Sequence, residues 1–144
     1  MKTPYENSPI LLIEDNPVDV DLTLRAFNKQ HVTNNIIVAR DGAQAVAQIK
    51  KWDKGSKIPI VILLDLKLPK IDGLEVLRVF KTHPKYKTIP VVVLTSSSND
   101  KDIENAYELG VNSYIVKPVN FDKFMEVAAQ IKLYWMALNN SKLS

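Results

Sequence analysis

Short apolar runs rich in β-branched residues recur along the chain: Ile10 to Ile13, Ile36 to Ala39, Ile60 to Leu64, Val91 to Leu94 and Ser113 to Val116. They are too short for helices and lack the apolar–polar alternation of a strand with one wet face, so they predict strands buried on both faces. The segments between them carry helix boundary signals. Asn16 before Pro17 is an N-cap followed by proline at the first helical position, opening a helix to about Asn28. Asp41-Gly42 precedes a helix over Ala43 to Lys51, Asp72-Gly73 one over Leu74 to Thr82, and Asn99-Asp100 one over Lys101 to Leu109, which Gly110 closes as a left-handed cap. A last and longest helix runs from Phe121 to about Leu138. Trp52 to Lys57 reads as a polar loop, and Met1 to Ser8 and Asn139 to Ser144 as fraying ends.

Strand and helix thus alternate five times, and strands joined by helical crossovers run parallel with helices over both faces. The fold class predicted is α/β: one doubly wound, five-stranded parallel sheet with strand order 2-1-3-4-5, a common order for such sheets. No break in composition marks a second domain, so residues 1–144 are read as one unit without an effector module.

Composition narrows the classes. With 46% hydrophobic and 24% charged residues among 144, and only 8 Pro and 4 Gly, disordered and fibrous classes are excluded. The absence of cysteine rules out disulfide scaffolds, thiolate zinc sites and thiol nucleophiles. A net charge of +3 without any run of five like charges gives no nucleic-acid signal. No apolar run approaches the ~20 residues of a membrane span, and the polar start lacks the apolar core of a signal peptide. The expected location is the cytoplasm.

Ligands of parallel sheets bind outside the carboxyl ends of the strands, near the point where the chain order reverses. After the first run come Glu14 and Asp15, after the third Asp65, after the fourth Thr95 to Ser98, and after the fifth Lys117 and Pro118. Singly, each has a bland reading. Glu14 and Asp15 complement the dipole of the following helix, Asp65 forms an Asx turn, Thr95 sits in a serine-rich loop, and Lys117 is a solvated surface residue. Together they bring three carboxylates, a hydroxyl and an ammonium to one sheet edge. Carboxylates so placed repel one another until a proton or a cation neutralises them, and oxygen ligands without His or Cys select Mg²⁺ over zinc. With the ion in place a carboxylate becomes a nucleophile toward phosphorus. Asp65, behind the central strand, is the nucleophile expected; Glu14 and Asp15 are the metal ligands. Lys117 neutralises phosphoryl oxygens and Thr95 donates a hydrogen bond to another.

In these residues the chain resembles the receiver domain of bacterial two-component response regulators, in its single-domain form. Glu14-Asp15, Asp65 with Pro69 and Asp72-Gly73, Thr95, and Lys117-Pro118 occur in the family's order, and the likeness runs from Ile10 to about Leu138. It implies that Asp65 accepts phosphate from a sensor histidine kinase and that Glu14, Asp15 and Asp65 bind Mg²⁺ together with the backbone carbonyl of Lys67. Lys117 then contacts the phosphoryl group, and the bond between Lys117 and Pro118 is cis. It also implies a switch in which Thr95 moves toward the phosphoryl group and Tyr114 turns inward, remodelling the face of helix 4, strand 5 and helix 5. The bland reading of Tyr114 is a core-edge tyrosine with a satisfied hydroxyl. Lys67 and Ser97 flank the path of an attacking water and leave the dephosphorylation rate open, and Val119 stands where many receivers carry an aromatic. Asn16 to Phe27 and Asn112 to Phe121 resemble the small regulators that serve bacterial phytochrome kinases.

Two rivals share parts of this pattern. Phosphatases of the haloacid-dehalogenase type use an aspartate nucleophile but carry a second Asp two positions later, where this chain has Lys67. A flavodoxin-like or nucleotide-binding protein needs a glycine-rich loop after the first strand, where Glu14-Asp15-Asn16-Pro17 stands. On the last helix Phe121, Phe124, Met125, Ala128 and Trp135 form a core face. Val127, Ile131, Tyr134 and Leu138 form a second stripe, read either as a homodimer or kinase contact or as part of a wide core stripe.

Overall fold

The computed structural model describes residues 8–117 and 120–143, with side chains through Leu133. Five parallel strands form one sheet in the order β2-β1-β3-β4-β5: β1 (Ile10–Ile13), β2 (Ile36–Ala39), β3 (Val61–Leu64), β4 (Val91–Thr95) and β5 (Ser113–Val116). The helices are α1 (Pro17–Lys29), α2 (Gly42–Asp53), α3 (Gly73–Thr82), α4 (Asp100–Glu108) and α5 (Phe121–Leu143). The chain order reverses between β1 and β3, two adjacent interior strands whose residues are all buried. This is the doubly wound α/β architecture expected from the alternation of the sequence.

Helix starts follow their caps. The side chain of Asn16 accepts hydrogen bonds from the backbone N–H groups of Val18 and Asp19, and Asn99, Asp41 and Asp72 cap their helices likewise. Gly110, at φ 97°, closes α4 in the left-handed conformation that glycine adopts without a Cβ penalty. Gly73 answers a different need: a Cβ there would lie 2.3 Å from Leu66 Cα, so the turn that follows Asp65 closes only around a bare backbone.

The two faces of the sheet carry separate cores. One gathers Leu11, Ile13, Ile62 and Leu64 against α2 and α3; the other gathers Ile10, Leu12, Val61 and Leu63 against α1 and α5. Three sequence expectations need correction here. Trp52 is not in a polar loop: it lies in the last turn of α2, buried, its ring 5.7 Å from Phe80 and 5.0 Å edge-on from Tyr86. Helix α5 runs on to Leu143, because no glycine or proline follows Leu138 to stop it. Val127 and Ile131, read either as a contact stripe or as part of a wide core stripe, are buried with Phe124 and Ala128, which overturns the contact reading for these two residues and bears out the core one. Positions 124, 127, 128 and 131 recur at i, i+3, i+4 and i+7, which makes them one core-facing stripe rather than two. The rest of that predicted stripe, the side chains of Tyr134 and Leu138, lies outside the described residues, as do the side chain of Trp135, the whole of Pro118 and Val119, and with them the predicted cis bond between Lys117 and Pro118. Lys132 Nζ donates to the Gln30 carbonyl at 2.8 Å and Gln30 Nε2 to that of Met125 at 3.3 Å, tying α5 to α1. Among the described residues no helix is long and apolar enough to cross a membrane.

Candidate functional site

Glu14, Asp65, Thr95 and Lys117, predicted from the strand ends, are where ladder geometry puts them. The N–H of Glu14 donates to Ala39 O of β2 at 2.9 Å, and that of Asp65 to Ile13 O of β1 at 3.0 Å, so both carboxylates leave adjacent strands at one level. The N–H of Lys117 donates to Thr95 O at 2.6 Å and holds the lysine at the end of β5. Glu14 and Asp65 are buried, Asp15 is exposed, and one oxygen of each lies within 4.8 Å of the others. Asp65 Oδ1 also accepts the N–H of Lys67 at 3.1 Å, which fixes the first turn of the loop beyond it.

Lys117 stands over this cluster. Its Nζ lies 2.7 Å from Glu14 Oε1, 2.7 Å from Asp19 Oδ2 and 3.0 Å from Asp65 Oδ2. Burial pulls the ammonium pKa down, but hydrogen bonds to Asp19, Glu14 and Asp65 outweigh it and hold the group above its ordinary value. Burial has the upper hand at Glu14: although Lys117 opposes it, desolvation, aided by the Asp65 charge, pushes the carboxyl up to about 7. The cluster therefore favours an added positive charge. Three convergent carboxylates with no nitrogen or sulfur donor suit a hard divalent cation of the Mg²⁺ kind. An exposed Asp15 beside two buried partners leaves the solvent side open to it.

The end of β4 is organised differently. Thr95 is fully buried, and its hydroxyl oxygen accepts the N–H of Ser97 at 3.4 Å. Ser97 Oγ donates to Asp102 Oδ2 of α4 at 2.6 Å and accepts the N–H of Asn99 at 3.3 Å. The half-buried Tyr114 donates its hydroxyl to Ser97 O at 2.8 Å. One residue therefore joins the Thr95 hydroxyl, the first turn of α4 and the tyrosine of β5. Sequence reading had located Ser97 only beside a water path, and it missed Asp19 and Asp102 altogether.

Comparison with known proteins matches residues 10–129 to the response regulator receiver domain. The chain belongs to that family. Among curated relatives, the probable methanogenesis regulatory protein FilR2 of Methanothrix harundinacea is 42% identical, the alignment covering 92% of this receiver and 86% of FilR2. The response regulator Rcp1 of Synechocystis sp. is 40% identical, with 88% of each chain covered. The crystal structure of the Mn²⁺-bound form of Rcp1 superposes with a TM-score of 0.79 over 89% of this receiver and 94% of that chain, at 38% identity. That of the phosphorylated cyanobacterial phytochrome response regulator RcpA superposes with a TM-score of 0.82 over 92% and 96%, also at 38% identity. This receiver is thus similar to phytochrome response regulators in sequence and in fold.

Proposed function

We propose that this receiver takes a phosphoryl group onto Asp65 from the phosphohistidine of a sensor histidine kinase, with Mg²⁺ held by Glu14, Asp15, Asp65 and the backbone carbonyl of Lys67. One observation carries the reading: a buried carboxylate, Asp65, stands within 4.8 Å of two further carboxylates and 3.0 Å from the Lys117 ammonium. An oxygen of Asp65 attacks phosphorus, the new P–O bond forms as the donor's P–N bond breaks, and the imidazole leaves with the electron pair of that bond. Such transfers need mainly positioning and charge neutralisation. The bound ion supplies the positive charge that admits an anionic phosphate to an acidic pocket. Lys117 donates to one phosphoryl oxygen and Thr95 to another.

The outcome reaches partners through Tyr114 and the face of α4, β5 and α5, because Ser97 ties that tyrosine to the Thr95 side of the site. The phosphorylated state of RcpA and the Mn²⁺-bound state of Rcp1 support the chemistry in relatives of the same fold. The phytochrome association of RcpA supports a phytochrome-type kinase as donor. In this reading the protein is a stoichiometric phosphoprotein that catalyses only its own phosphorylation and dephosphorylation. It works in the cytoplasm as one receiver domain and signals through protein contacts, without direct nucleic-acid binding. Incubation with a small acyl phosphate and Mg²⁺, followed by intact mass, tests it: one phosphoryl group is expected on the wild type, and none on Asp65→Asn or in the presence of a chelator. A phosphoryl group that persists in the variant contradicts the assignment.

A further inference from the structure

We infer that Asp19 is a positioning residue for phosphoryl transfer, holding Lys117 over the reacting carboxylate while Glu14 and Asp65 are engaged elsewhere. The inference deepens the proposed function and rests on it. Asp19 occupies the third position of α1, where an acid ordinarily complements the helix dipole. Its carboxylate does more than that: Oδ2 lies 2.7 Å from Lys117 Nζ, as close as Glu14, joining the first turn of α1 to the end of β5.

A lysine ammonium has three N–H donors, and here it meets three carboxylate acceptors, one each from Glu14, Asp19 and Asp65. Two of these belong to the metal-binding cluster and one does not. When Glu14 turns to a cation and an oxygen of Asp65 becomes part of an acyl phosphate, both lose negative charge toward the ammonium. Asp19, outside the metal-binding cluster, takes part in neither change. It retains one donor of Lys117 at the site, and the two released donors face the phosphoryl oxygens. Without Asp19 the ammonium leans onto Glu14 and Asp65, competing with the cation, or swings toward solvent on its flexible stem.

The sign of the effect separates this role from simple electrostatics. Removing a negative charge from an acidic pocket speeds the arrival of an anionic donor if charge is all that matters. Loss of a positioning contact slows the chemical step instead. The test measures phosphorylation of Asp65 by a small acyl phosphate at saturating Mg²⁺ for the wild type, Asp19→Asn, Asp19→Glu, Lys117→Ala and the double variant Asp19→Asn/Lys117→Ala. At that saturating Mg²⁺, Asp19→Asn is expected to lower the maximal rate by about tenfold to a hundredfold. Asp19→Glu is expected to recover part of the loss, and Asp19→Asn to cost nothing further once Lys117 is gone. An Asp19→Asn rate equal to or above wild type, or a full additional loss in the Lys117→Ala background, overturns the inference. If the wild type itself takes no phosphate on Asp65, the proposed function fails first; if it does and Asp19→Asn behaves identically, only the role of Asp19 falls.

Discussion

At the ends of β1, β3 and β5 the contacts of Lys117 are ion pairs of 2.7–3.0 Å between largely buried groups, whereas at the end of β4 Ser97 gathers backbone groups, hydroxyls and the single carboxylate of Asp102. The first half is anchored by ladder hydrogen bonds to neighbouring strands, and removing one partner of a buried ion pair costs about 3–5 kcal/mol. The second half lies mostly in a loop, where the neutral hydrogen bonds contribute about 1 kcal/mol each and the bond to the Asp102 carboxylate about 1.5–3 kcal/mol. Fixed charge suits chemistry that needs positioning; a loop of weak bonds suits a segment that must rearrange afterwards. In the proposed function, the first half transfers phosphate and the second reports it.

The sharpest way to break this division is Lys117→Ala, which strips the charged half of its cation. Phosphorylation by a small donor is expected to slow by about a hundredfold to a thousandfold, as for loss of one preorganised donor, measured by intact mass against time. Next in size is Gly73→Ala, where the added Cβ meets backbone at 2.3 Å and forces the turn behind Asp65 to shift. A loss of about 3 kcal/mol in urea unfolding is expected, with slower phosphorylation because the nucleophile moves.

A third test uses Glu14, whose folded-state pKa of about 7 exceeds its ordinary 4.5. The folded protein holds that proton more tightly than the unfolded chain, so without metal the stability from this group is full below pH 4.5 and is lost as pH rises through 7. Mg²⁺ requires the ionised carboxylate, so its affinity runs the other way, climbing across the same window and levelling above it. Calorimetric titration from about pH 5 to pH 8 checks this; a flat affinity contradicts it. The smallest effect is expected of Tyr114→Phe, which removes one hydrogen bond to Ser97 O: about 1 kcal/mol of stability, with the rate of phosphorylation unchanged. A large drop in that rate would merge the two halves.

What the sequence revealed follows the same line. Glu14, Asp65, Thr95 and Lys117 each end or immediately follow an apolar run, and in a parallel sheet the end of a strand is a fixed address, so order along the chain was enough to bring them together. Asp19 and Asp102 stand in the first turns of helices, where an acid has an adequate local reason to be; their partners, Lys117 and Ser97, emerge only in three dimensions. Trp52 was obscured by the polar residues after it, since its burial depends on Phe80 and Tyr86 arriving from α3 and the turn beyond. Val127 and Ile131 were divided from Phe124 and Ala128 because the width of a buried stripe depends on the elements packed around it, here α1 and the sheet.

The most direct measurement locates the phosphoryl group itself. After reaction with a small acyl phosphate and Mg²⁺, borohydride reduction of the acyl phosphate followed by peptide sequencing by mass spectrometry should yield homoserine in place of Asp65 and leave Glu14, Asp15 and Asp19 intact. Reduction at any of those three, or at no carboxylate, would contradict the account.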